Sequence, residues 1–154
     1  MKDPRGFTLI ELLMVILVVV VLATVGITQF VDFGTDARVA VTKDRLNQIK
    51  TAIVGDPRLV SGGVYTNPGY LGHCGEVPGD LSLLINMPGS GVCMTPYDPV
   101  SRQGWRGPYL SAATQEWHQD AWGGELKYDP GAREIRSCGA NQSCGDGDDV
   151  FVNF

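Results

Sequence analysis

The sequence predicts an α+β fold: one long N-terminal helix whose distal half packs on a small antiparallel sheet. Three observations carry this. No proline interrupts Phe7 to Val54. In the second half of that stretch Val39, Thr42, Leu46, Ile49 and Ile53 recur at steps of three and four, which gathers them on one helical face. Near the C-terminus three short strand-like segments, 125–129, 134–138 and 150–154, follow one another, the first two split by the turn Tyr128-Asp129-Pro130-Gly131.

The elements follow in order. Residues 1–6 form a short leader carrying Lys2, Asp3 and Arg5. From Leu12 to Val31 the chain is uncharged and largely apolar. About 20 such residues make roughly 30 Å of helix, the depth of a bilayer's hydrocarbon core. Glu11 stands at the entrance of this span, where a carboxylate is costly and needs either a partner or a proton. An ordinary secretory signal fits poorly, because its apolar core is shorter and a small-residue cleavage site follows it. Beyond the span, Arg38, Lys43, Asp44, Arg45 and Lys50 occupy the remaining helix faces, toward solvent or neighbours. Gly55-Asp56-Pro57 ends the helix, since glycine tolerates the C-terminal turn and proline cannot continue it. Such a helix reaches about 70 Å, and only its amphipathic second half packs on a soluble head. Residues 58–77 read as loop, punctuated by Gly62-Gly63, Asn67-Pro68-Gly69 and Gly72. Asp80 caps a short helix through Leu81, Leu83, Leu84 and Ile85, stopped by Pro88-Gly89.

Composition narrows the function. Without Lys2, Arg5 and Asp3, the 12 basic and 17 acidic side chains become 10 and 16, a balance of −6. That disfavours nucleic acid or an anionic membrane surface as a partner. Cys74, Cys93, Cys138 and Cys144 all follow the span, and outside the cytoplasm they oxidise. Four cysteines allow three pairings; nearness in sequence suggests Cys74–Cys93 and Cys138–Cys144, with the other two open. Zinc is the poorer reading, because no Cys-x-x-Cys pair is present and only His73 and His118 could assist.

Gly6-Phe7-Thr8-Leu9-Ile10-Glu11, followed by the long apolar run, closely resembles the prepilin signal of type IV pilins and type II secretion pseudopilins. The second half is similar to the major pseudopilin in Gly107-Pro108-Tyr109-Leu110, Asp120-Ala121-Trp122-Gly123, Tyr128, Ser137-x-Gly139 and Asp148-Asp149-Val150. The chain departs from the family in having Ala121 where proline is usual. It also has Val20 and Thr28 where many members carry a helix-loosening glycine and proline. The resemblance implies a pilin-like α+β fold: leader peptide 1–6, transmembrane and assembly helix 7–31, periplasmic globular head 32–154. It implies that a prepilin peptidase cuts between Gly6 and Phe7 and that Phe7 is then methylated. It further implies that Glu11 pairs with the Phe7 amine of a neighbouring subunit. The expected protein is a filament subunit without enzymatic activity, single-pass in the bacterial inner membrane. Its expected partners are copies of itself, minor pseudopilins and an inner-membrane assembly platform. Its expected role is to build a type II secretion pseudopilus. A type IV pilin for adhesion, motility or DNA uptake is the second reading, and a membrane-tethered binding module built on residues 56–106 is the third.

The segment Ser137 to Asp149 gathers Asn141, Asp146, Asp148 and Asp149 on a glycine-rich loop. Hard oxygens on a flexible loop suit Ca²⁺, although the spacing is not that of an EF-hand; a solvated acidic turn is the plain alternative. Calcium is the cofactor the resemblance implies here. The ligands carried over are the carbonyls of Cys138 and Asp146, the side chain of Asn141, and the carboxylates of Asp148 and Asp149. Among the tryptophans, Trp122 is expected in the core, with Trp105 and Trp117 undecided. His118 beside Asp120 matches no catalytic motif.

Overall fold

The structure, a computed structural model, describes residues 6–91, 93–111 and 117–154, without the side chains of 24–32, 64 and 65. It divides into two compact units, Met1–Ala37 and Arg38–Phe154. The helix α1, Leu9–Val54, contributes to both.

In the first unit α1 begins on a reciprocal cap. Thr8 is the residue before the helix, and its backbone N–H and hydroxyl donate to Glu11 Oε2 at 3.1 and 3.0 Å. The Glu11 N–H donates to Thr8 Oγ1 at 3.3 Å. This is the Thr-x-x-Glu capping box, which satisfies donors that a helix start otherwise leaves open. Every large apolar side chain from Phe7 to Leu22 is between 51% and 85% exposed, so this part of α1 has no polar face. Among the described residues no helix is long and apolar enough to cross a membrane. The expected span 7–31 includes residues 24–31, whose side chains lie outside those described.

In the second unit α1 presents the expected face. Thr42, Leu46, Ile49 and Ile53 are buried, and Val39 packs beside them. Of the residues expected to face solvent or neighbours, Arg45 faces neighbours: it is half-buried, because its guanidinium donates to two backbone carbonyls, described below. Gly55 closes the helix at φ 85°, its N–H donating to the Thr51 carbonyl. The segment expected to be loop holds more structure. Val60–Ser61 (β1) and Val64–Tyr65 (β2) pair antiparallel across Gly62-Gly63, and α2 spans Gly69–Cys74. A 3₁₀ turn, Leu81–Leu84, starts where the Asp80 carboxylate accepts from the Ser82 N–H.

The sheet comprises β3 (Lys127–Asp129), β4 (Glu134–Ser137) and β5 (Val150–Asn153), antiparallel in that order. Tyr128, Ile135 and Val152 lie side by side across it, and Ile135 is fully buried. Alternation along β4 turns Ile135 and Ser137 inward. The core joins Leu46, Ile49 and Ile53 of α1 to Tyr70, Leu81, Leu84, Leu126, Ile135 and Val150. An N-terminal helix packed against a small three-stranded antiparallel sheet is thus the observed α+β, pilin-like arrangement.

Trp122 is a correction. It is half-buried and outside the core cluster, while Trp105 and Trp117 pack against that cluster. The indole N–H of Trp105 donates to the Leu83 carbonyl at 3.1 Å, which lets the polar edge of a large ring be covered. In the 120–124 turn the buried position belongs to Asp120 instead.

Candidate functional site

The N-terminal site starts at Gly6, whose leader neighbours 1–5 lie outside the described residues. Phe7 is 85% exposed. The cap places both Thr8 donors on Glu11 Oε2, while Oε1 has no hydrogen-bond partner among the described residues. The carboxylate that reads from sequence as solitary therefore has a local partner. Thr8 three residues before Glu11 was the available signal for it.

The second site is the loop between β4 and β5. Cys138 is bonded to Cys144, and Cys74 to Cys93; among the described residues no cysteine is free. Inside the small ring the Asn141 amide donates to Asp146 Oδ2 at 2.7 Å and to Asp148 Oδ1 at 3.1 Å. Asp148 Oδ2 accepts from the N–H groups of Ala140 and Asn141. Hydrogen bonding with the Asp148 side chain, then with Asn141, holds the Asp146 carboxyl below the usual range. Asp149 turns to a different partner: its Oδ2 accepts from Arg136 Nη1 at 2.7 Å and from the Gly145 N–H at 2.8 Å. Arg136 also holds Glu134 at 2.7 Å, and these two carboxylates, Glu134 foremost, raise its pKa.

Of the five implied calcium ligands, the structure brings the side chains of Asn141, Asp146 and Asp148 together and ties Asp149 to Arg136. Among the described residues no three His, Cys, Asp or Glu side chains gather as a metal site would require. The donor chemistry still fits the ion, because all are hard oxygens. One observation adds to that fit: Asp149 Oδ1 is buried and has no hydrogen-bond partner among the described residues. Sequence reading missed Arg136 as the counter-charge; it stands opposite Phe151, two residues past Asp149, a register that only the structure gives.

A buried turn links this loop to α1. Asp120 is 3% exposed. Its Oδ1 accepts from the N–H groups of Trp122 and Gly124 at 2.9 and 2.7 Å. Its Oδ2 accepts from the Ser137 hydroxyl at 2.6 Å, and the Gly139 N–H donates to that hydroxyl in turn. From α1, Arg45 donates to the carbonyls of Gln119 and Asp120, and Thr42 Oγ1 accepts from the Ala121 N–H. A carboxylate buried with three donors is satisfied and structural, which suits Asp120 to positioning the loop rather than to chemistry.

His73, considered from sequence as a residue that could assist a zinc site, is buried on α2. Its Nδ1 lies 3.1 Å from the Tyr109 hydroxyl, which also accepts from the Arg106 N–H. Burial first, and the Arg106 charge second, push its pKa down.

Residues 1–27 match the family model described as the prokaryotic N-terminal methylation motif. No curated protein and no solved structure matches the chain. That motif, together with a helix packed on a small antiparallel sheet, supports a type IV pilin-like subunit.

Proposed function

We propose that the chain is the major structural subunit of a type II secretion pseudopilus. Residues 7–31 hold it in the bacterial inner membrane with the head in the periplasm. A prepilin peptidase removes residues 1–6 and methylates Phe7. An assembly platform and minor pseudopilins then start a helical filament whose growth drives folded proteins outward. The observation that carries the reading is the unbroken exposure of large apolar side chains from Phe7 to Leu22, directly after the methylation motif. A helix apolar on all sides has no stable place in water and demands lipid or copies of itself. Glu11 suits the change from one to the other. Thr8 uses only Oε2, so Oε1 is left for the amine of a neighbouring Phe7. A carboxylate and an ammonium left unpaired in such a setting cost about 3–5 kcal/mol. In the head, a calcium ion on the 138–149 loop completes the proposal, drawn by Asp148, Asp149 and the Asn141 oxygen, with the carbonyls of Cys138 and Asp146.

The test is native mass spectrometry of assembled filaments together with Glu11→Ala. Filament protein should begin at Phe7 with one added methyl group. The variant should insert normally and yield few filaments. An intact Met1 in filaments, or normal filament yield from the variant, would refute the reading. Disruption of the gene should stop export of folded proteins; loss of motility or DNA uptake with export intact would favour the type IV pilin instead.

A further inference from the structure

A cavity of about 560 Å³ opens beside α2, lined by Ser61, Thr66, His73, Tyr97, Arg102 and Arg106 among others. Its charge is unusual for this molecule. The chain carries a net −5, yet this wall holds two arginines and a histidine. Neither guanidinium has a hydrogen bond or ion pair among the described residues. Arg106 lies over the Tyr97 ring, 4.9 Å from its centroid, which fixes its position without neutralising it. By contrast Arg58, on the adjoining cavity, is already held by Asp56 at 3.1 Å.

Arg102 is held in place at a conformational cost. Its φ is 58°, in the left-handed region that side chains other than glycine avoid. The surrounding turn enforces it: the Arg102 N–H donates to the Asp98 carbonyl, and the Asp98 N–H to the Gln103 carbonyl, both at 2.8 Å. The Asp98 carboxylate accepts from the N–H groups of Val100 and Ser101 and from the Ser101 hydroxyl. The nearest acid in sequence is thus engaged by its own turn. Arg102 and Arg106 are both exposed; a guanidinium on a backbone kept in a disfavoured state, at a cavity and without a protein partner among the described residues, is a reason to look for a ligand.

We propose that this cavity is an oxyanion site, in which Arg102 and Arg106 hold a carboxylate or phosphate group. Guanidinium forks match the geometry of both anions. Buried His73, its Nδ1 3.1 Å from the Tyr109 hydroxyl, also lines the cavity and would gain a proton more readily once an anion arrives. The proposal is independent of filament assembly and of calcium.

The test uses the full chain in an uncharged detergent, titrated with inorganic phosphate and separately with glucuronate. Binding should saturate in the millimolar range, and the His73 ring should titrate at higher pH when the anion is present. Arg106→Gln and Arg102→Gly should each weaken binding at least about tenfold, the effect of one charge-assisted contact. Glycine suits the left-handed backbone, so Arg102→Gly should keep or raise Tm, which separates lost binding from misfolding. Arg58→Gln should bind as the parent does. Saturation by phosphate alone identifies a tetrahedral anion, and by glucuronate alone a carboxylate. Absence of saturation with both anions, or equal binding by the parent and both arginine variants, would overturn the site.

Discussion

His73 gives the head a pH dependence whose sign follows from its surroundings. Burial and Arg106 lower its folded pKa, so the folded protein holds it neutral where the unfolded chain takes up a proton. The stability this represents is complete above the ordinary histidine value of about 6.5 and is lost as pH falls below it. Tm should therefore drop between about pH 7.5 and about pH 5.5, and His73→Gln, which can still meet the Tyr109 hydroxyl, should flatten that drop. Thermal melts of both proteins across the range check it; parallel curves would assign the dependence elsewhere.

Among the elements, α2 and the C-terminal loop are each closed by a disulfide, and the two differ in span. Cys74 and Cys93 are 19 residues apart and both buried, whereas Cys138 and Cys144 are six apart. Chain entropy makes the longer closure worth about 3 kcal/mol and the shorter about 2 kcal/mol. Paired serine substitution at 74 and 93 should therefore cost more than at 138 and 144, by denaturant unfolding of the full chain. The reverse order would show that packing or loop strain outweighs closure. Much at this scale was legible beforehand. The buried face of α1, its stop at Gly55, the Asp80 cap and three strands all rest on local periodicity or a local turn. The missed elements are those whose signal is short or distant. β1 and β2 are two residues each, and only Val-Ser-Gly-Gly-Val-Tyr announced them. α2 depends on contact with the end of α1. A side chain on Gly69 would collide with the Gly55 nitrogen, an approach no sequence window reveals. That Trp105, and not Trp122, packs against the core was hidden for a similar reason, since its partner Leu83 lies 22 residues away. At the sites, the capping box at Thr8 and Glu11 was local and readable. The Arg136–Asp149 pair required knowing the β4–β5 register.

For the whole molecule, the proposed calcium ion would share the Asp149 carboxylate with Arg136. If the ion binds only the folded loop, it stabilises by about 2.7 kcal/mol at a hundredfold excess over Kd. Millimolar calcium should raise Tm of the detergent-held chain, and chelator should reverse it. Arg136→Gln should lower Tm in chelator, since Asp149 loses its counter-charge, and should enlarge the calcium-induced rise, since Asp149 becomes available to the ion. Asn141→Asp should enlarge it as well by adding ligand charge. Calorimetry and melting curves that stay unchanged by calcium in all three proteins would leave the loop as an acidic turn.

The Asp120 turn also bears on how the head withstands traction. Arg45 and Thr42 grip its backbone from α1, and Ser137 grips its carboxylate from β4. A tug delivered along the part of α1 in the second unit thus reaches the sheet through these hydrogen bonds as well as through the apolar core. Within the second unit, the helix and the sheet are thereby tied through one buried turn.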